Sequence, residues 1–222
     1  RTASHWIRRA DQWARSMDGG DRGPFQDFIT RPVYAAIDSY NKAKSDVLKS
    51  LIDFVLPSMN ELRKEVHIEA PELSSASGEP YVFTKKSELL HFILHTGNLS
   101  NKRKLALGGA KDIGTEQAYV FGRELPDGEV DFSRIDAFLS RMFREGVITK
   151  ADMDIVQGIW DLFEQTKGAA QQAHKRMHGT YFKDIPATEI VTPFGTYKGG
   201  YVPAVYDRMM NPDGAKMDAI VQ

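Results

Sequence analysis

Two pairs of histidines stand four residues apart, His91-Phe-Ile-Leu-His95 and His174-Lys-Arg-Met-His178. On a helix that spacing puts both imidazoles of a pair on one face, where they could share a metal ion. His91, His95, His174 and His178 together would then make a histidine-based centre for a metal-dependent enzyme. Neither pair has a glutamate beside its first histidine, as a zincin motif would, and Glu88 lies one turn earlier only in the first pair. Histidine near the end of a helix is also favoured by the helix dipole alone, and His95 and His178 both precede terminating glycines. The ordinary structural reading outweighs the metal one.

Three other clusters invite chemistry. Asp152, Asp154, Asp161 and Glu164 fall on one helical stretch, with the last two a turn apart. Acid residues in a first helical turn are favourable in themselves, so a solvated face is expected rather than an acid–base pair. Lys102, Arg103 and Lys104, with Lys111 nearby, sit beside an Asn-rich turn and could meet phosphates, which makes a nucleic-acid-contacting module the alternative function. No aromatic platform is interleaved with them, and surface solvation explains them as well. Gly195-Thr-Tyr-Lys-Gly-Gly200 lacks the order of a phosphate-binding P-loop and reads as turns.

The elements that would position these groups are mainly helical. Ile37, Tyr40, Val47, Leu51, Val55, Met59, Leu62 and Val66 recur at three- and four-residue spacing, the face of one long helix after Pro32. Pro57 interrupts it and predicts a kink or break just before it. From Ile68 to Phe83, Pro, Ser and Gly predict a loop or a poor hairpin, and Thr84 is the expected cap of a helix that Gly97 ends in a left-handed turn. A short helix follows from Lys102 to Leu107, and 112–121 reads as partly helical.

Ile135, Phe138, Leu139, Met142 and Phe143 form a narrow stripe closed by Gly146. Thr149-Lys-Ala-Asp152 then opens a helix that can run to His178, and the short joint predicts an antiparallel pair. Beyond Gly179, alternating residues joined by Gly and Pro predict a small β-hairpin or arm at about 186–206. Phe194, Tyr197, Tyr201 and Tyr206 are expected to pack it inward. The fold class is therefore mainly α: a multi-helix domain with a long, Pro-kinked helix, an antiparallel helix pair and a C-terminal β-hairpin or arm. Gly97, Asn98, Asn101, Gly195, Gly199, Gly200 and Pro203 are the turn residues that fix its topology. The boundaries read as an N-terminal helix at 1–24, leading in from a preceding domain, one helical domain at 25–206 and a tail at 207–222.

Composition narrows the function. With 29 Lys and Arg against 30 Asp and Glu, a polyanion-binding surface over the whole domain is disfavoured. The absence of Cys removes disulfides, thiol nucleophiles and cysteine-based zinc sites. No apolar stretch is long enough to cross a bilayer, so membrane insertion by this segment is not expected. No cofactor is called for. A helical pattern already running at Arg1, and turn residues leading into a new segment after Asn211, suit a piece of a longer polypeptide.

Leu89-Leu-His-Phe-Ile-Leu-His-Thr-Gly-Asn-Leu-Ser-Asn101, Ile148-Thr-Lys-Ala-Asp-Met-Asp-Ile-Val-Gln-Gly-Ile-Trp-Asp-Leu162 and Phe194-Gly-Thr-Tyr-Lys-Gly-Gly-Tyr-Val-Pro203 occur in that order. Together they resemble helical regions of very large phage proteins, the large polyvalent proteins and virion proteins ejected with the genome, over about Leu48 to Tyr206. The resemblance implies a phage or prophage origin and a place in the virion interior, or in the host cytoplasm after ejection. It also implies partners among other domains of the same chain or other virion proteins, with possible DNA contact. It brings no catalytic residue with it, and any enzymatic module would lie elsewhere in the parent.

Overall fold

The computed structural model describes residues 2–20, 23–111 and 117–203. It is predominantly helical, with small antiparallel strand pairs. Two compact units divide the chain, Arg1–Ile52 and Asp53–Gln222, so the division falls within the long helix.

In the first unit α1 (Thr2–Asp18) ends on a carboxylate that caps the next helical turn. Asp18 accepts from the backbone N–H groups of Phe25 and Gln26 at 3.0 and 2.9 Å, donors that the start of a helix leaves without partners. The Gln26 side chain donates to the Gly20 carbonyl at 2.7 Å, and Trp13 meets Phe25 edge to face. A π-helical turn, Gln26–Thr30, leads into α2 (Arg31–Val55), and the widened turn stops just before Pro32, which has no N–H to close it.

α2 ends two residues before Pro57, which lies in a 3-10 turn (Leu56–Ser58) followed by the single turn α3 (Met59–Leu62). Val66 does not continue the helical stripe: it lies in β1 (Glu65–Ala70), which pairs antiparallel with β2 (Tyr81–Lys85), Ile68 opposite Phe83 and Ala70 opposite Tyr81. The segment read as a loop or poor hairpin is thus a hairpin with an irregularity between Glu65 and Ile68. Its connection carries a 3-10 turn at Pro71–Leu73 and a tight turn in which the Ser75 hydroxyl accepts from Glu79 N–H at 3.1 Å.

α4 (Lys86–Leu94) and α5 (Leu99–Gly108) follow, then β3 (Ala110–Lys111) paired with β4 (Ala118–Tyr119), and β5 (Arg123–Glu124) paired with β6 (Val130–Asp131). Ala118 and Tyr119 are therefore extended rather than helical, because their backbone pairs with β3; residues 112–116 of that expectation lie outside the described residues. α6 (Ser133–Arg144) and α7 (Lys150–His178) both feed one core in which Phe83 stacks on Phe138 at 5.2 Å and Met142, Met153, Val156 and Trp160 are buried. α6 lies mainly against the Pro71–Leu73 turn and α7 against α4, so the two helices share a core while each has its chief neighbour elsewhere.

β7 (Ile190–Thr192) and β8 (Gly195–Tyr197) form the C-terminal hairpin, and an irregular strap continues to Pro203. Residues 204–206 of the expected arm and the tail at 207–222 lie outside the described residues. Among the described residues no helix is long and apolar enough to cross a membrane.

Candidate functional site

The two Gly- and Asn-rich phrases of the sequence, about a hundred residues apart, meet on α7. Asn98, completely buried, is the N-cap of α5: its side-chain oxygen accepts from Asn101 N–H at 2.8 Å. Its amide nitrogen then reaches across to donate to the Gly200 carbonyl at 3.0 Å. Asn101, also buried, donates its side-chain amide to the Val202 carbonyl at 2.7 Å. The Gly97 carbonyl accepts from both Gly200 and Thr188 N–H at 2.9 Å. A strap with no ladder partner of its own thus has its backbone satisfied by the 97–101 loop, as buried backbone requires.

Trp160 is the floor of this junction. Its ring is buried and its indole N–H donates to the Leu94 carbonyl at 3.1 Å, one of the acceptors left over at the end of α4. A Cβ at either Gly97 or Gly200 would collide with that ring. Gly97 is therefore not the left-handed cap that its position after a helix suggests: it lies outside the positive-φ glycines, and a close approach to Trp160 is what requires it. Gly199 does need its glycine for backbone reasons, with φ at +75° and the Thr188 and Gly97 carbonyls where a side chain would go. Gln157, one turn before Trp160, accepts from Lys198 N–H at 2.9 Å. The Lys198 and Gly200 amides are thus committed to protein acceptors, which speaks against a phosphate cradle there.

The expected packing of the arm through its aromatics holds only in part: Tyr197 packs against the core and Phe194 meets Phe143 edge to face. Phe194 and Tyr201 are well exposed, Tyr197 is half-buried with its hydroxyl donating to Asp154 at 3.1 Å, and Pro203 is exposed, whereas Gly199, Gly200 and Val202 are buried. The arm goes in backbone first. Tyr206 lies outside the described residues. Gly195, at φ +127°, follows the Pro193-Phe194 turn, and its carbonyl accepts from the Thr192 hydroxyl at 2.8 Å.

A second junction was not legible in the sequence. Lys86 is buried, and its ammonium donates to Asp152 Oδ2 and to the Val147 carbonyl, both at 2.7 Å. The same Asp152 oxygen accepts from the N–H and hydroxyl of Thr149 at 2.8 and 2.9 Å. Asp152 is therefore not part of a solvated acidic face: it ties the start of α4 to the start of α7. Asp154 does pair at the surface with Lys150, Asp161 accepts from Gln157, and Glu164 pairs with Lys167.

The histidines stay in two separate pairs, and no group of three or more metal-ligating residues forms among the described residues. His91 and His95 bring their Nε2 atoms to 3.1 Å, so one ring donates to the other. Burial, with the neighbouring His91 adding to it, depresses His95 to about 4, and burial also lowers His91. His174 donates from Nδ1 to the Thr180 carbonyl at 2.7 Å, and its ring lies edge on to Phe182; this fastens the end of α7 to the segment beyond it. The His178 ring lies beside it, tilted by 37°, with centroids 4.5 Å apart.

The basic cluster is likewise engaged. Lys102 pairs with Asp136 at 2.6 Å over the Phe132 ring, and Arg103 pairs with Glu124 at 2.8 Å and donates to the Gly128 carbonyl. Lys104 on the same helix is half-buried and also has a partner. The side chain of Lys111 lies outside the described residues. A cleft of about 380 Å³ opens between α7, the 182–185 segment and the end of the strap, with Phe163, Phe182, Ile185 and Tyr201 among its walls, and Lys167 bridges Glu164 and Asp184 there at 3.1 and 2.6 Å. No protein-family model, curated protein or solved structure matches the chain.

Proposed function

We propose that this chain is a noncatalytic structural and interaction domain of a large multidomain phage or prophage protein, associated with the virion and delivered with its genome. The observation that carries the structural reading is the pair of buried asparagines whose amides donate to the Gly200 and Val202 carbonyls. Polar side chains at this junction and at Lys86–Asp152 spend their hydrogen bonds joining segments far apart in sequence, which is scaffold chemistry. In this reading α6 and α7 act as an antiparallel pair, and the helices on either side of Pro57 as one kinked element.

The phage attribution is supported by the resemblance of the 89–101, 148–162 and 194–203 segments. Partners would be other domains of the same polypeptide or other virion proteins, in the virion interior or in the host cytoplasm after ejection. An antibody against the chain, applied to purified particles of the source phage and to infected cells, tests this. A species far larger than 25.0 kDa in the particles is expected. A species of about that mass, confined to cells and never packaged, would overturn it.

A further inference from the structure

α2 has no buried side chain. Along it Val33, Ile37, Tyr40, Lys44, Val47 and Leu51 follow one another at alternating spacings of four and three residues. Val33, Tyr40 and Val47, and likewise Ile37, Lys44 and Leu51, recur every seven residues, which is the heptad of a coiled-coil seam. Ala36, Ala43 and Ser50 flank the seam at seven-residue intervals, small enough to let a second helix come close. On this seam Tyr40 is 67% exposed, Val33 41% and Val47 40%, large apolar side chains left to solvent on one helix face. A shallow cleft on this face, between Val33, Ala36, Ile37 and Tyr40, has the form of a hole between knobs.

We infer that this face binds a second copy of the same helix, antiparallel, in a two-stranded coiled coil. Charge selects the orientation. In a parallel pair Lys44 would face Lys44 of the second copy inside an apolar seam, a like-charge contact that is costly out of water. In the antiparallel register that sets Lys44 against the second copy's Tyr40, each ammonium lies over a tyrosine ring, Ile37 meets Val47 and Val33 meets Leu51. Every layer then pairs an a position with a d position, and the seam is its own complement, as a two-fold interface demands.

The assignment rests on the interaction-domain reading and names its partner. With no native cysteine, the chain allows a direct test. Light scattering across a concentration series should show the mass rising from 25.0 kDa toward twice that value. Val47→Asp should weaken association at least about tenfold with no loss of helix content, and Lys44→Leu, which removes the charge from the seam, should strengthen it. Under oxidation, Val33→Cys mixed with Leu51→Cys should give a cross-linked pair, while neither variant alone cross-links. Self-cross-linking of Val33→Cys would overturn the antiparallel register. A mass of 25.0 kDa at every concentration would overturn self-association and assign the face to another segment of the parent or another protein; the asparagine junction and the scaffold reading would be untouched.

Discussion

At the scale of single residues, the strongest dependence falls on Asn98 and Asn101. Each amide satisfies a strap carbonyl in a buried site, so Asn98→Ala or Asn101→Ala leaves a carbonyl without a donor, at a cost of about 1–3 kcal/mol each. Asn98 also loses its cap on α5, so it should be the worse of the two by about 1 kcal/mol. Urea unfolding followed by tryptophan fluorescence in a Trp6→Phe, Trp13→Phe background, which leaves Trp160 as the sole reporter, measures both, and two variants as stable as the parent chain would show that the strap is held by something else. His95 gives a pH dependence of definite sign. Its folded value of about 4 lies below the ordinary 6.5, so the unfolded chain takes up the proton first. The neutral ring's contribution is therefore complete above pH 6.5 and is lost as the pH falls toward 4. His95→Leu should flatten the melting temperature against pH across that window relative to the parent chain; parallel curves would show that His95 titrates normally in the fold.

At the scale of elements, the β1–β2 hairpin and its connection are tied to α6 by a guanidinium. Arg141 on α6 grips both carboxylate oxygens of Glu72 at 2.7 and 3.0 Å and donates to the Glu69 carbonyl at 2.8 Å. The hydrogen bond from Arg141 holds the Glu72 carboxyl below its ordinary range, so this stabilisation is full above that range and fades as the pH falls through the lowered value. Arg141→Ala should cost about 2 kcal/mol near neutrality and less in acid, where Glu72 is protonated. Chemical denaturation at two pH values reads the difference, and an equal cost at both would rule out the ion pair as its source. Elements differ in how far they can be read in advance. The stripe of α6 and the Thr149–Asp152 turn are local patterns, and the chain shows them directly. Gly97 is not local: its requirement comes from Trp160, far along the chain, so from sequence it looks like any glycine that ends a helix. Lys86 hides in the same way, because a lysine at the start of a helix reads as surface until Asp152 is folded against it. The strap misleads for a third reason, since its aromatics draw attention while its glycines and Val202 are what go inside.

At the scale of the whole molecule, burial is distributed very unevenly, and this sets where the chain can open. α4 and α6 bury whole faces, but the buried residues of the 29-residue α7 end at Trp160, in its first half, and α2 buries none. Helices in water owe most of their stability to an apolar face packed on something, so the two long helices should not be protected along their lengths in proportion to their hydrogen bonds. Hydrogen exchange read by mass spectrometry should find the slowest amides in α4, α6 and the first half of α7. Peptides from 164–178 should exchange faster, although the helix runs unbroken through them. At low protein concentration, peptides from 31–51 should be among the fastest of the described helices, since no core covers them. Uniform protection along α7 would mean that its second half is stabilised by cover beyond the contacts of Phe182 and the strap. Slow exchange in α2 that persists on dilution would place its apolar face against this same chain, and the seam could then no longer serve a second copy.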